Sequence, residues 1–542
     1  MYNDATFKNK LIYPAQKMIS YKKLQQRLTT LVSSEKSACL ADSLIGLEKE
    51  SMRVGPDGKI AQTPHPVALG SALCNPDITT DYSEALIEFI TPPLTGHHAL
   101  PYLQNIQKFV YQQLDNEILW ATSMPCVVAG ETSIPIAEYG TSNMGVMKTV
   151  YRRGLGHRYG RLMQVISGVH FNFSLPEPFW PTYQALENNS DELQDFISDS
   201  YFAMIRNLQR FGWLVPYLFG ASPVVCKSFL DGIASTLQEF DTTTYYEPYA
   251  TSLRMGDIGY QNNKESESGI KACYDNLDAY VSCLTQAINT VCHEHEKIGI
   301  VVNGEYQQLN ANILQIENEY YSSVRPKQIL NGNEKPTLAL KRRGVKYIEL
   351  RSLDINPFDP LGINEEQLYF LEAFMVFCLL HESPSINAQE RKEIDHNALI
   401  TAHRGREPAL ELQRNGDTQT LKSWATELTE EMLGVCEILD KANNTDRFTI
   451  SLQKQKALID DPDKTPSARM LAEMRQHNEG FFHNAMRMSQ THYEYFKNTP
   501  LDKEQSRYFM DNVKQSLQQQ KELENANNTP FDVFLAEYFA QE

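Results

Sequence analysis

Gly46-Leu47-Glu48-Lys49-Glu50-Ser51-Met52-Arg53-Val54 is the stretch on which the fold turns. Successive strand side chains point to opposite faces, so as a strand it sets Glu48, Glu50 and Met52 on one side and Leu47 and Lys49 on the other. Two carboxylates side by side on a pleated surface repel by about 3 kcal/mol, at ~5 Å and an effective dielectric of ~20. A lone pair of this kind is more often a solvated strand face than a cation site. Recurrence of the pattern downstream decides between the two.

It does recur. Leu86 to Thr91 is apolar and β-rich, with Glu88 set between Ile87 and Phe89, and Pro92-Pro93 ends it. Val169 to Leu175 alternates strictly, His170, Asn172 and Ser174 on one face and Val169, Phe171, Phe173 and Leu175 on the other. Alone, His170 reads as a hydrogen-bonded structural histidine. Tyr347 to Leu353 sets Glu349 and Arg351 opposite Ile348 and Leu350, where an internal salt bridge is also an open reading. With Asp81 nearby, one sheet face could collect Glu48, Glu50, Asp81, Glu88 and Glu349. Such a cluster calls for divalent ions, and oxygen donors suit magnesium or manganese, while the absence of clustered Cys and His argues against zinc. Magnesium held by a few carboxylates normally shares its coordination with substrate phosphates, which implies a nucleotide. There is no GxxxxGK[ST] or GxGxxG motif, so metal and arginine must hold that nucleotide in place of a glycine-rich loop.

The rest of the chain bounds the reading. Its 542 residues, 42% hydrophobic and 22% charged, predict a large globular core. A formal net charge of −18 argues against nucleic acid as the main partner. The apolar run Phe370 to Leu380 is too short to span a bilayer and contains Glu372. Met1 to Lys10 lacks the apolar stretch of a secretory signal, and nine scattered cysteines without a CxxC pair favour free thiols in a reducing cytoplasm.

Helical spacing is expected over Ile19 to Ser33, His98 to Asn116 and Ser200 to Tyr217, a turn at Pro56-Asp57-Gly58, and loops at Tyr139 to Met147 and Ser252 to Tyr260. Lys148, Arg152, Arg153, His157, Arg158 and Arg161 concentrate positive charge in one stretch, either a solvated basic helix or an anion-binding wall. The boundaries expected are a helical segment at 1–40, a catalytic α+β core at 41–365 and a mainly helical region at 366–542 packed on it.

The chain also closely resembles the proteobacterial glutamate–cysteine ligases. The resemblance runs from about Leu44 to about Pro360 through GLEKESMRV, ALGSAL, ITTDYSEALIEFITP, SMPC, YGTSN, GVHFNFSLP, RNLQRFGWLVPYLFGASP, YATSLRMGDIGY, LQIENE and YIELRSLDINPF. It implies an α+β fold with a cupped, mainly antiparallel sheet similar to that of the glutamine synthetase catalytic core, covered by helices. It implies ATP-dependent ligation of the glutamate γ-carboxylate, through a γ-glutamyl phosphate, to the amine of cysteine, the first step of glutathione synthesis. Position by position, the metal ligands implied are Glu48, Glu50, Asp81, Glu88, His170 and Glu349. Arg351, Glu349 and Arg254 are implied to be catalytic, Arg351 facing the phosphates. The cysteine pocket would be formed by Tyr82, Tyr151, Leu155, Gln164, Arg254, Tyr260 and Tyr321, with Tyr82 standing where a phenylalanine is expected. The resulting expectation is a cytoplasmic monomer that uses magnesium, ATP, glutamate and cysteine, with no nucleic-acid or membrane partner.

Overall fold

The computed structural model describes residues 21–33, 36–95, 98–230, 235–259 and 271–541; Ile19, Ser20 and Tyr260 of the expected elements lie outside them. The elements that position the site are α1 (Lys22–Ser33), β1 (Leu44–Val54), β2 (Ile78–Thr80), β3 (Leu86–Ile90), β4 (Leu94–Thr95), α2 (Ala99–Gln113), β5 (Ile118–Leu119), α3 (Asn143–Tyr159), β6 (Val169–Ser174), α4 (Leu193–Phe211), β7 (Val324–Lys327), β8 (Tyr347–Leu353), α5 (Glu365–Leu380) and α6 (Phe531–Phe539). The eight strands form one sheet in the order β7-β8-β6-β1-β3-β2, with β4 and β5 adding short pairings to β1. Every pairing is antiparallel, and helices cover the sheet, as the α+β reading expects.

The alternation seen in the sequence decides which face is covered. Ile45, Leu47, Ile87, Phe89, Val169, Phe171, Phe173, Ile348 and Leu350 all point into one apolar cluster with α2, α4 and α5. Phe171 and Phe173, two residues apart on one strand, stack at 6.3 Å between ring centroids. α5 is buried around its whole circumference, and its start is fixed by a capping box between Asn364 and Gln367. The apolar run around Glu372 is therefore a core helix beneath the sheet. No described helix is long and apolar enough to cross a membrane.

Four local expectations change. Tyr139 to Met147 is only in part a loop: α3 begins at Asn143 because Ser142 accepts a hydrogen bond from the Gly145 amide and caps it. Ser200 to Tyr217 is two helices, Leu193–Phe211 and Leu214–Phe219, separated at Gly212. The helical C-terminal region contains a hairpin, Glu411–Arg414 with Asp417–Thr420, whose turn is Asn415-Gly416, both residues at positive φ. Finally, Cys126 and Cys226 are joined in a disulfide, where free thiols were expected. They are 100 residues apart in sequence but meet in a second apolar cluster beside Trp120, Val224 and Phe229.

Candidate active site

Register brings the acids together. In the β1–β3 pairing Glu50 stands opposite Glu88; in β1–β6 Glu48 stands opposite His170; in β6–β8 Asn172 stands opposite Glu349; and in β7–β8 Arg325 stands opposite Glu349. All project from the face opposite the apolar cluster. Glu48, Glu50, Asp81, Glu88, His170, Glu349, Arg351, Arg254, Tyr82, Tyr151, Leu155, Gln164 and Tyr321 line one cavity of about 220 Å³. Of the expected site residues, only Tyr260 is not among them, and it falls outside the described residues. A cavity of about 350 Å³ elsewhere is lined by the Arg27–Glu187 ion pair with Asp191, Asp199 and Glu382, and none of the expected site residues lines it.

Within the cavity His170 is the hub. Its Nδ1 lies 3.0 Å from Glu48 Oε2 and 4.0 Å from Glu349 Oε1, and its Nε2 lies 3.7 Å from Glu50 Oε1. One donor atom each from Glu48, Glu88 and His170 fall within 4.8 Å of one another. The second Glu48 oxygen accepts from the Asn172 amide at 2.9 Å, and Glu50 Oε2 accepts from the Gly168 backbone N–H at 2.7 Å. Glu349 Oε1 is held by Lys327 Nζ at 3.3 Å and Arg351 Nη1 at 3.2 Å, while its Oε2 is buried without a partner.

Charge divides the site. Burial, then Glu48, Asp81 and Glu50, push the Glu88 carboxyl well above the usual carboxylate range, and burial pushes Glu50 up as well. Burial also opposes ionisation of Glu349 and Glu48. Lys327 and Arg351 nonetheless hold Glu349 well below its ordinary value, and the hydrogen bond to His170 holds Glu48 lower. Strands β1 and β3 thus carry acids that oppose one another's ionisation, and the edge strand β7 and its neighbour β8 carry the positive side chains.

That donor set fits a hard divalent cation: several carboxylate oxygens and one imidazole, together with a buried carboxylate oxygen that has no hydrogen bond. No fixed cation on β1 or β3 faces Glu50 and Glu88, because Lys49 points to the back, where it donates to Gln107 Oε1 at 2.8 Å. Burial brings the Lys49 amine down to about 7.

The wall facing the sheet is α3. Its basic residues divide between the two readings of that stretch. Arg152 lines the cavity and donates to the Asp81 carbonyl, while Arg158 is fully buried in an ion pair with Glu319 at 2.8 Å. Arg153 donates to the Tyr306 carbonyl, and Lys148 lies 5.1 Å over the Tyr139 ring. Most of the charge is used to fasten the helix, and one arginine reaches the site. Tyr82 is buried against α3 with its hydroxyl unpartnered, and a Cβ at Gly156 would come within 2.5 Å of that oxygen. Gly168 meets a similar limit, since a Cβ there would lie 2.1 Å from Arg254 Nη2.

Five cavity residues were absent from the expected site residues: Arg152, Ile166, Asn318, Arg325 and Lys327. A signal for the last two exists. Val324-Arg325-Pro326-Lys327 alternates like β8, with Arg325 and Lys327 in front, but Pro326 reads as a strand breaker. Here it occupies an edge strand, where proline is tolerated.

Known proteins resemble this chain over most of its length. The family model described as glutamate–cysteine ligase matches residues 28–400. The glutamate–cysteine ligase of Alcanivorax borkumensis is 47% identical over 524 residues, covering 96% of this chain and 99% of that protein. That of Pseudomonas entomophila is 47% identical over 502 residues, covering 92% and 94%. The crystal structure of the Francisella tularensis glutamate–cysteine ligase in complex with AMP superposes with a TM-score of 0.86 at 36% identity, covering 92% of this chain and 98% of that one. A bifunctional glutathione synthetase from Pasteurella multocida, at 24% identity and a TM-score of 0.69, shares the fold over 87% of this chain and 55% of its own. The chain belongs to the glutamate–cysteine ligase family.

Proposed function

We propose that this cavity joins L-glutamate to L-cysteine at the expense of ATP, and that Glu48, Glu50, Asp81, Glu88, His170 and Glu349 hold the metal for it. The family match and the near-full-length relatives support the reaction. The observation that carries the site is the convergence of acids from four strand or turn segments, one histidine and Arg351 on a single sheet face.

The glutamate γ-carboxylate oxygen attacks the γ-phosphorus of ATP and ADP leaves. The cysteine nitrogen then attacks the γ-carbonyl carbon of the acyl phosphate, losing a proton as phosphate departs. Magnesium or manganese, when bound, offsets the charge of the transferring phosphoryl group. Arg351 and Lys327, already held at Glu349, are within the cavity to take phosphate oxygens. Arg254 offers a buried, unpartnered Nε to an amino-acid carboxylate, and Tyr82, Tyr151, Leu155, Gln164 and Tyr321 form the wall for the cysteine side chain, Tyr260 joining them in this reading. The use of ATP favours the cytoplasm, and a monomer remains part of this reading.

Purified protein supplied with magnesium and ATP is expected to release ADP only when both glutamate and cysteine are present. ADP release indifferent to the amine offered would point to a ligase with another acceptor, and no turnover would overturn the proposal.

A further inference from the structure

Asp354 follows β8 directly, three residues beyond Arg351, and does not line the cavity. It is buried, with 2% of its surface exposed, and four groups converge on it. The Ala221 N–H donates to Oδ2 at 2.8 Å, the Ser222 hydroxyl donates to the same oxygen, and the Ser252 hydroxyl donates to Oδ1 at 2.8 Å. The fourth is the Arg254 guanidinium, whose Nη1 lies 3.6 Å from Oδ1 with both side chains almost fully buried. That separation is an ion pair without a good hydrogen bond, so the attraction acts on the charge and the plane of the guanidinium.

The rest of Arg254 shows what this pair leaves available. Nη2 donates to the Arg351 carbonyl at 2.9 Å, and Gly168 lies so close beneath it that no side chain could fit there. Nη1 touches the Met255 sulfur at 3.3 Å, a weak acceptor, and the buried Nε has no partner. Asp354 and the Arg351 carbonyl therefore take hold of one side of the planar fork, and donors remain on a guanidinium that lines the cavity. A buried arginine without a counter-charge would be costly to keep at this depth; Asp354 supplies that charge from outside the cavity. Its own hydroxyl and amide donors tie it to the 220–223 and 252–256 turns, so it has little freedom to swing.

We propose that Asp354 is a positioning residue, which fixes the Arg254 guanidinium for the carboxylate of an amino-acid substrate. This inference rests on the reading of Arg254 as an amino-acid contact. It assigns no contact between Asp354 and any substrate.

The test is a double-mutant cycle read by KM. Asp354→Asn is expected to raise KM for glutamate or cysteine by about tenfold or more, while KM for ATP moves less than about twofold. In an Arg254→Ala background the same substitution should add nothing to the amino-acid KM. An equal effect in both backgrounds, or an ATP KM that rises in parallel, would make Asp354 a general fold contact and overturn the proposal. If Arg254→Ala itself leaves both amino-acid KM values at the parent level, the reading of Arg254 fails instead. Should Asp354→Asn not fold, the Ser222→Ala/Ser252→Ala variant loosens the carboxylate without altering a charge. It is expected to raise the amino-acid KM about threefold in the parent and not at all beside Arg254→Ala, and the same two failures apply.

Discussion

Replacing Glu88 by Gln should make the metal-free protein more stable and the magnesium-loaded protein less so. Glu88 faces Glu50 across the β1–β3 ladder, and one of its oxygens lies within 4.8 Å of a Glu48 ligand atom. At that separation and an effective dielectric of ~20, the Glu48–Glu88 repulsion is about 3 kcal/mol. Arg351 cancels part of it, and the raised proton affinity of Glu88 cancels more, so the net gain from a neutral amide is about 1–2 kcal/mol. Magnesium works in the opposite direction. At a hundred times its dissociation constant, an ion that binds only the folded state adds about 2.7 kcal/mol, and the variant forgoes much of this by losing a ligand. The order of the two proteins in a urea titration should therefore invert between chelator and excess magnesium. A variant less stable than the parent in chelator would refute the repulsion argument, and equal stabilisation of both by magnesium would remove Glu88 from the metal site.

Two further outcomes follow from buried groups. Burial in α5 pushes the Glu372 carboxyl up to about 8, so the native state keeps a proton that the unfolded chain releases near 4. Stability from this group is present at low pH and is lost as pH rises through that window, by on the order of 3 kcal/mol between pH 5 and 7.5. Glu372→Gln should flatten that part of the stability–pH profile, and a variant whose profile runs parallel to the parent's would contradict it. Tyr82→Phe removes a buried hydroxyl that has no partner, so unfolding stability should rise by about 1 kcal/mol while cysteine KM stays within about threefold. A tenfold rise in KM would instead assign the hydroxyl to the substrate.

What was legible in the chain was periodicity. The front and back faces of β1, β6 and β8 follow from residues alternating two by two, and Glu48, Glu50, His170, Glu349 and Arg351 all lie on the predicted face. What periodicity does not encode is which strands are neighbours. The Glu50–Glu88 and Glu48–His170 juxtapositions are properties of the register and emerge only from the ladder. Arg325 and Lys327 went unseen because Pro326 masks an edge strand. The Cys126–Cys226 bridge went unseen because nothing local marks a contact across 100 residues. Asp354 is a third kind of case: its work is done through Arg254, and a side chain that touches no cavity leaves no motif of its own. The Asn415-Gly416 turn, by contrast, carries a recognised two-residue hairpin signal in a region otherwise read as helix.

The order of the strands also explains how the sheet tolerates its own charge. Had the acids and bases alternated from strand to strand, each carboxylate would be neutralised by a neighbour, leaving little reason for a cation to enter. Instead β7 and β8 contribute Arg325, Lys327 and Arg351, while β1 and β3 contribute Glu48, Glu50 and Glu88. Glu349, at the seam, is compensated from within the same two strands, by Lys327 and Arg351. The surplus negative charge is confined to the centre of the sheet, where β1 is paired on both sides and its apolar back is locked into the main core. Pairing and burial on one face thus hold in place a repulsive cluster that the same residues could not maintain on a free strand. A polyanion lying across that face would meet positive side chains at one end and, through cations, the acids at the other. The facing wall is held independently: α3 is fastened by the Arg158–Glu319 pair, and α6 packs on Met147 and Val150 near the C-terminus. A substitution in the acid cluster should therefore change charge and metal affinity while leaving the opposite wall of the cavity where it is.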